Sequence, residues 1–220
     1  MRVPRAVVAV VGGMAAVIGV RSTVVPGRWH PWFNGAVLVG ALAIVPVLRL
    51  SAEELGLGRA HLARGARWGG AAAALISSVI VVSSLVPATS GLFADDRADV
   101  SLGAMLLKVV IVIPVATVFL EEFLFRGVLL GLLLRTYTAV PAIAWSALTF
   151  GCWHIVTAWN TSDGSTASRV AAVVGTVIAT TAAGGAFGWL RYGSKSLVAP
   201  IAAHIATNSV AFATAWVLAN

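Results

Sequence analysis

Apolar residues run through this chain in long stretches, broken by short polar or basic groups. Such stretches lie near 6–21, 32–49, 68–88, 102–135, 139–159, 170–190 and 196–219. A helix needs roughly 20 apolar residues to cross the hydrocarbon of a bilayer. Each stretch therefore predicts a spanning helix, the first of them short and the fourth too long. The expectation is an all-α integral membrane protein, a bundle of about seven to eight transmembrane helices. No internal repeat, low-complexity segment or linker divides the chain, so residues 1–220 read as a single membrane domain.

Composition sharpens this picture. Of the 220 residues 59% are hydrophobic and 10% charged, with a mean hydropathy of +0.94. A soluble domain carries about 25% charged residues; so few cannot cover a surface that faces water. The formal charge of +7 comes from Lys and Arg placed between the apolar stretches. There they act as orientation signals and as contacts for anionic head groups. No basic stripe interleaved with aromatics and no glycine-rich phosphate loop occurs, which argues against nucleic acid as a partner. The single cysteine, Cys152, excludes an internal disulfide and a Cys-rich zinc site. It lies inside an apolar stretch and reads as a small packing residue.

The basic start and apolar run of the first 20 residues look like a signal peptide. No small-residue cleavage site follows, while Arg21 and Arg28 do, so the segment reads as the first membrane helix. Arg49, Arg59, Arg64 and Arg67 mark the connection after the second span as cytoplasmic. Alternation then puts Asp95, Asp96 and Asp99 outside, Arg135 inside, residues 160–169 outside, and Arg191 and Lys195 inside. The N-terminus is expected in the cytoplasm and the C-terminus outside, with Arg21 and Arg28 as the exceptions to the charge rule. Gly127 with Gly131, and Gly184 with Gly188, are each four apart, a spacing suited to close helix packing. Pro46 and Pro114 fall within spans and should kink them.

Ionisable side chains inside a span are costly and raise a functional question by default. Here they are Glu121, Glu122, Arg126, His154 and His204. Glu122 and Arg126 are four apart with the acid first, the spacing of a helical ion pair. That pair leaves Glu121 about 100° round the helix and free for other work. A carboxylate in a low-dielectric bundle is suited to act as a general base or acid. Glu121 and His154 lie 33 residues apart, and their midpoint falls in Arg135-Thr136-Tyr137-Thr138-Ala139-Val140-Pro141. A turn there brings the two to similar depth on adjacent antiparallel helices. His204 and Asn208 are four apart, on one face of the last span. A base, two polarising groups and an amide donor make an inventory for hydrolysis. His30 and His61 read as structural or solvated.

These segments resemble the motifs of the CPBP family, the CAAX proteases and bacteriocin-processing enzymes also called Abi. Its pattern is Glu-Glu-x-x-x-Arg, then Phe-x-x-x-His, then His-x-x-x-Asn or Asp. Here they stand as Glu121 to Arg126, Phe150 to His154, and His204 to Asn208. The resemblance covers about residues 100–215 and implies an intramembrane endopeptidase. Glu121 and His154 would activate water, His204 and Asn208 would hold the oxyanion, and Glu122 and Arg126 would support the site. A metal is left open: either none, or one divalent ion such as zinc on Glu121, His154 and His204, which supply enough ligands for an open catalytic site. The implied partners are a membrane-associated protein or peptide substrate and the lipid bilayer. Richness in alanine, valine and arginine points to a high-GC bacterium and a bacterial cell membrane, where a membrane-anchored protein or leader peptide fits better than a prenylated CAAX tail. Two other classes stay open: a non-enzymatic immunity or scaffolding protein that keeps the fold, and a small transporter or proton relay.

Overall fold

The computed structural model of the chain describes residues 3–220. Among the described residues seven helices are long and apolar enough to cross a membrane. They are α1 (Val3–Thr23), α2 (His30–Leu48), α3 (Leu62–Leu85), α4 (Leu102–Leu133), α5 (Ala139–Thr161), α6 (Thr166–Ser194) and α7 (Val198–Ala219). The described residues contain no strand, which suits lipid, where each spanning segment must satisfy its own backbone. The protein is an all-α integral membrane protein, at the lower of the two expected helix counts.

The long fourth stretch is resolved by its place in the bundle. Its first half faces outward, with Val110, Ile111 and Val115 at least half exposed. From Leu120 to Leu133 every residue is buried. Burial on every side places this half at the centre of the bundle, where α1, α2, α5, α6 and α7 close around it. The chain then turns through Thr136 and Tyr137 into α5, where the sequence predicted a turn.

Pro114 acts on α4 through its winding. Lys108–Phe119 and Phe123–Leu129 of α4, and Ala206–Val210 of α7, are wound as π-helix. A π turn pairs residues five apart, so residue 114 would donate to the carbonyl of Val109. Proline has no N–H to give. The Ser209 hydroxyl of α7 donates to Val109 O instead, at 2.8 Å. Two more neighbours grip the widened helix: Asn34 Nδ2 of α2 donates to Ala116 O at 2.8 Å, and Ser146 Oγ of α5 to Phe125 O at 3.0 Å. Three helices therefore hold α4 by its backbone on both sides of Glu121 and Glu122.

The three connections predicted to share one side of the membrane do meet at one end of the bundle. Ser51 caps the one-turn helix Ala52–Leu55 in a reciprocal box with Glu54, and Gly56 closes it at φ +77°, a conformation that favours glycine. Arg135 donates to both Glu54 oxygens at 2.6 and 2.9 Å, and to the carbonyls of Leu48 and Arg49 that end α2. Arg191 donates to the carbonyls of Glu53 and Glu54, and Leu197 N to Gly56 O. At the other end Trp216 Nε1 donates to Val100 O and fixes the loop before α4 against α7.

The glycine pairs lie at close approaches, as their spacing suggested. A Cβ on Gly131 would meet Glu54 O at 2.8 Å, and one on Gly184 would meet Ala147 Cα at 3.1 Å. Gly188 is as tight against Ile143. Cys152 departs from expectation: it is exposed rather than packed. Its neighbours Gly151 and Trp153 are both buried, so the inward positions of this stretch of α5 are already taken.

Candidate active site

Leu120–Glu122 forms one α-helical turn between the two π-wound stretches of α4. Both carboxylates are buried, and they face different partners. Glu122 Oε1 accepts from Arg126 Nη1 at 2.9 Å, the ion pair expected from the spacing. The same oxygen accepts from His204 Nδ1 at 2.8 Å. A carboxylate oxygen that already accepts from a guanidinium takes the ring N–H as its second donor, so Nδ1 of His204 carries the proton of this bond. Glu122 thereby fixes both the tautomer and the tilt of the ring, as a carboxylate behind a catalytic histidine does.

Arg126 is wholly buried. Its guanidinium lies 4.2 Å over the Phe150 ring and 5.2 Å from that of Phe187. Its Nε and Nη2 have no hydrogen-bond partner among the described residues, and the aromatic faces provide attraction in place of water. Phe187 also stacks on His204, with centroids 4.9 Å apart and planes 24° from parallel, while Phe150 meets the same imidazole edge-on. His204 is thus locked by a carboxylate at one nitrogen and by rings on its faces. Its Nε2 lies 3.8 Å from Glu121 Oε2.

Glu121 Oε1 accepts from Trp153 Nε1 at 3.2 Å. Arg21, in the last turn of α1, lies close enough for its charge to act on Glu121. That gives Arg21 a place in the bundle that the charge rule for loops did not supply.

His154 sits where α5 breaks, between Ala139–Trp153 and Ile155–Thr161. Its Nδ1 lies 2.8 Å from Phe150 O. A carbonyl only accepts, so this nitrogen holds the proton and Nε2 is left as the basic position. The Phe150 ring lies edge-on to His154 as well as to His204, and so stands between the two motifs.

Asn208 makes no side-chain hydrogen bond among the described residues, and with His154 it lines one open cavity. The π winding of α7 begins at Ala206, between His204 and Asn208, and the two side chains engage different neighbours. His204 meets Glu122, and Asn208 meets the cavity.

The sequence leaves a metal open, with Glu121, His154 and His204 as its possible ligands. Among the described residues no group of three His, Cys, Asp or Glu side chains converges as a metal site, and Glu121, His154 and His204 are no exception. His154 is anchored through Nδ1 to a carbonyl and His204 through Nδ1 to Glu122, which leaves only their Nε2 positions as donors.

Trp153 and Phe187 escaped the sequence reading. Trp153 had one available signal, its place inside the Phe150–His154 motif; Phe187, in a helix without motif residues, had none.

Residues 103–210 match the family described as type II CAAX prenyl endopeptidase Rce1-like. No curated protein and no solved structure matches the chain. All six motif side chains fall inside the matched stretch, from the core of α4 to the π turn of α7, and over that stretch the chain is similar to the Rce1-like type II CAAX prenyl endopeptidases, which supports its place among the CPBP/CAAX proteases.

Proposed function

We propose that the protein is an intramembrane endopeptidase that hydrolyses peptide bonds of membrane-associated proteins or peptides, with Glu121, His154, His204 and Asn208 as its catalytic residues. The observation that carries this reading is the chain Arg126–Glu122–His204, which ends with a free imidazole nitrogen 3.8 Å from a second carboxylate. A structural ion pair needs only Glu122 and Arg126. It gives no reason for a ring held in one tautomer against Glu121.

Two polar atoms 3.8 Å apart leave room for one oxygen at about 2.8 Å from both, beside the line that joins them. Water there, or between Glu121 and His154 Nε2, gives a proton to the carboxylate as its oxygen adds to the scissile carbonyl. The free amide of Asn208 stabilises the oxyanion that forms, joined by His204 when its Nε2 also carries a proton. The proton held on Glu121 then passes to the leaving nitrogen, the C–N bond breaks, and an acid and an amine result. Glu122 and Arg126 keep His204 oriented through both steps. No step is routed through a metal, because the donors do not converge on one.

Cleavage of quenched fluorescent peptides by detergent-purified protein tests this reading. Wild type should cleave, Glu121→Ala should not, and cleavage should persist in EDTA and o-phenanthroline. An active Glu121→Ala would overturn the mechanism, and full chelator sensitivity would overturn its metal-free form. We further propose that the Arg135–Glu54 end of the bundle and the N-terminus are cytoplasmic in a bacterial membrane. The support is the gathering of the basic connections at that end, and thiol labelling of single cysteines placed in residues 49–61 and 160–165 reads it directly.

A further inference from the structure

The cavity that His154 and Asn208 line has a volume of about 590 Å³ and reaches the loop that precedes α4. Its walls are unusually polar for a space between membrane helices. Thr157 of α5, Thr176 and Thr180 of α6, and Thr207 of α7 all border it. The Thr180 and Thr207 hydroxyls donate to carbonyls of their own helices, which leaves their oxygens as acceptors towards the cavity.

Charge in the cavity is unbalanced. Its one acid is Asp95, at the mouth. Arg97 claims that carboxylate, with Nε and Nη2 each 2.8 Å from an oxygen and its backbone N–H at 3.0 Å. These hydrogen bonds hold Asp95 below its ordinary pKa, so it stays ionised and paired. The remaining charge belongs to Lys108. This residue has no carboxylate within salt-bridge distance among the described residues, and its ammonium sits 3.9 Å over the ring of Phe212. It lies six residues into α4, about 9 Å along the axis from Leu102. A cation at that depth asks for a counter-charge; Asp95 acts on it only through space, being already bonded to Arg97, and the direct contact of the ammonium is an aromatic face. The same cavity that holds the two unengaged catalytic groups therefore carries an uncompensated positive charge.

We propose that this cavity is the substrate-binding channel of the peptidase, and that Lys108 is a specificity residue which binds a carboxylate of the peptide near the scissile bond. This rests on the peptidase reading above and adds the substrate class. The carboxylate is either an acidic side chain or a free C-terminus, and both place the same group on the ammonium.

A series of peptides built on one cleavable core tests it. One arm carries Glu or Gln at successive positions on either side of the core, and a second carries a free or an amidated C-terminus. Binding is measured on Glu121→Ala protein and turnover on wild type, so the two claims are read separately. At one position, or at the C-terminus, the carboxylate form should bind and turn over about tenfold better than its neutral counterpart. Lys108→Arg should keep that ratio, Lys108→Met should bring it close to one, and Lys108→Glu should reverse it towards Lys-bearing peptides. Cleavage with a ratio near one throughout, or a ratio that Lys108→Met and Lys108→Glu leave alone, overturns the assignment while the peptidase stands. Charge-selective binding that depends on Lys108, without turnover, keeps the site and removes the peptidase. Absence of binding by every peptide overturns the site.

Discussion

Ser209 offers the sharpest test of how this site is held. Its hydroxyl supplies, from α7, the donor that Pro114 cannot supply from within α4. Ser209→Ala removes that donor and leaves the carbonyl of Val109 unpaired inside the bundle. An unpaired buried polar group costs about 1–3 kcal/mol, whereas interhelical hydrogen bonds in membrane proteins average about 0.6 and reach about 1.7 kcal/mol. We expect a loss of about 1 kcal/mol, close to fivefold in the folding equilibrium. The effect on turnover should be larger than on stability, because Ser209 neighbours Asn208 and ties α7 to the helix of Glu121. A 1 Å misplacement of a catalytic group costs about a hundredfold, so kcat should fall at least about tenfold with KM little changed. The decisive arm is Pro114→Ala, which restores an N–H at residue 114. In that background Val109 O has its own donor, and Ser209→Ala should cost almost nothing further. Unfolding of the four proteins in detergent, followed by tryptophan fluorescence, gives the coupling, with Pro114→Ala's own cost cancelling in the cycle. Equal costs of Ser209→Ala in both backgrounds would refute the reasoning, since the hydroxyl would then not be replacing the missing N–H.

Glu122→Gln leaves the buried Arg126 without its charge partner and should destabilise the fold by about 3–5 kcal/mol, visible as lost yield and a lower melting temperature. Glu122→Gln with Arg126→Met should recover much of that stability but none of the activity, because His204 still lacks its carboxylate. Gly184→Val forces side-chain atoms towards Ala147, Phe150 and Arg126 and should cost about 1–3 kcal/mol in the same melts, whereas Gly185→Ala, with open space at its Cβ, should be neutral or slightly stabilising. Arg135→Ala should lower the melting temperature by an amount equivalent to about 1 kcal/mol, as the clasp on Glu54 is partly exposed, and should leave kcat in place.

Much of this was legible in the sequence because lipid imposes simple rules. Seven apolar stretches became seven helices, the α4–α5 turn fell where Arg135 to Pro141 suggested, and the two glycine pairs marked real close approaches. The six motif residues stood out because charge is rare in such surroundings. What stayed hidden was which groups would meet. His204 and Asn208 are four apart, yet one meets a carboxylate of α4 and the other an open cavity, a division that their spacing does not encode. The bond between Glu122 and His204 joins residues 82 apart, and no local periodicity encodes it. Trp153, Phe187, Asn34, Ser146 and Ser209 all lie in apolar stretches where such residues usually only pack. Their partners are single carbonyls, carboxylates or rings on other helices, fixed by tertiary packing alone.

The buried pair on α4 also bears on how the chain enters the membrane. On insertion scales each charged residue at a helix centre costs about 2.5–3.5 kcal/mol, and α4 brings two glutamates and an arginine near its middle, besides Lys108 nearer its start. Glu122 and Arg126 are neighbours on one helix, so their bond can form within α4 as soon as that helix exists, before any other part of the site. His204 is synthesised 82 residues later, in the last span. During biogenesis the pair therefore serves first as a local neutralising device that lets α4 settle in lipid. It becomes the support of a histidine only when α7 arrives. The nascent chain thus carries Glu121 into the membrane without its histidine partner, and the Glu122–His204 bond is deferred until α7 has been made.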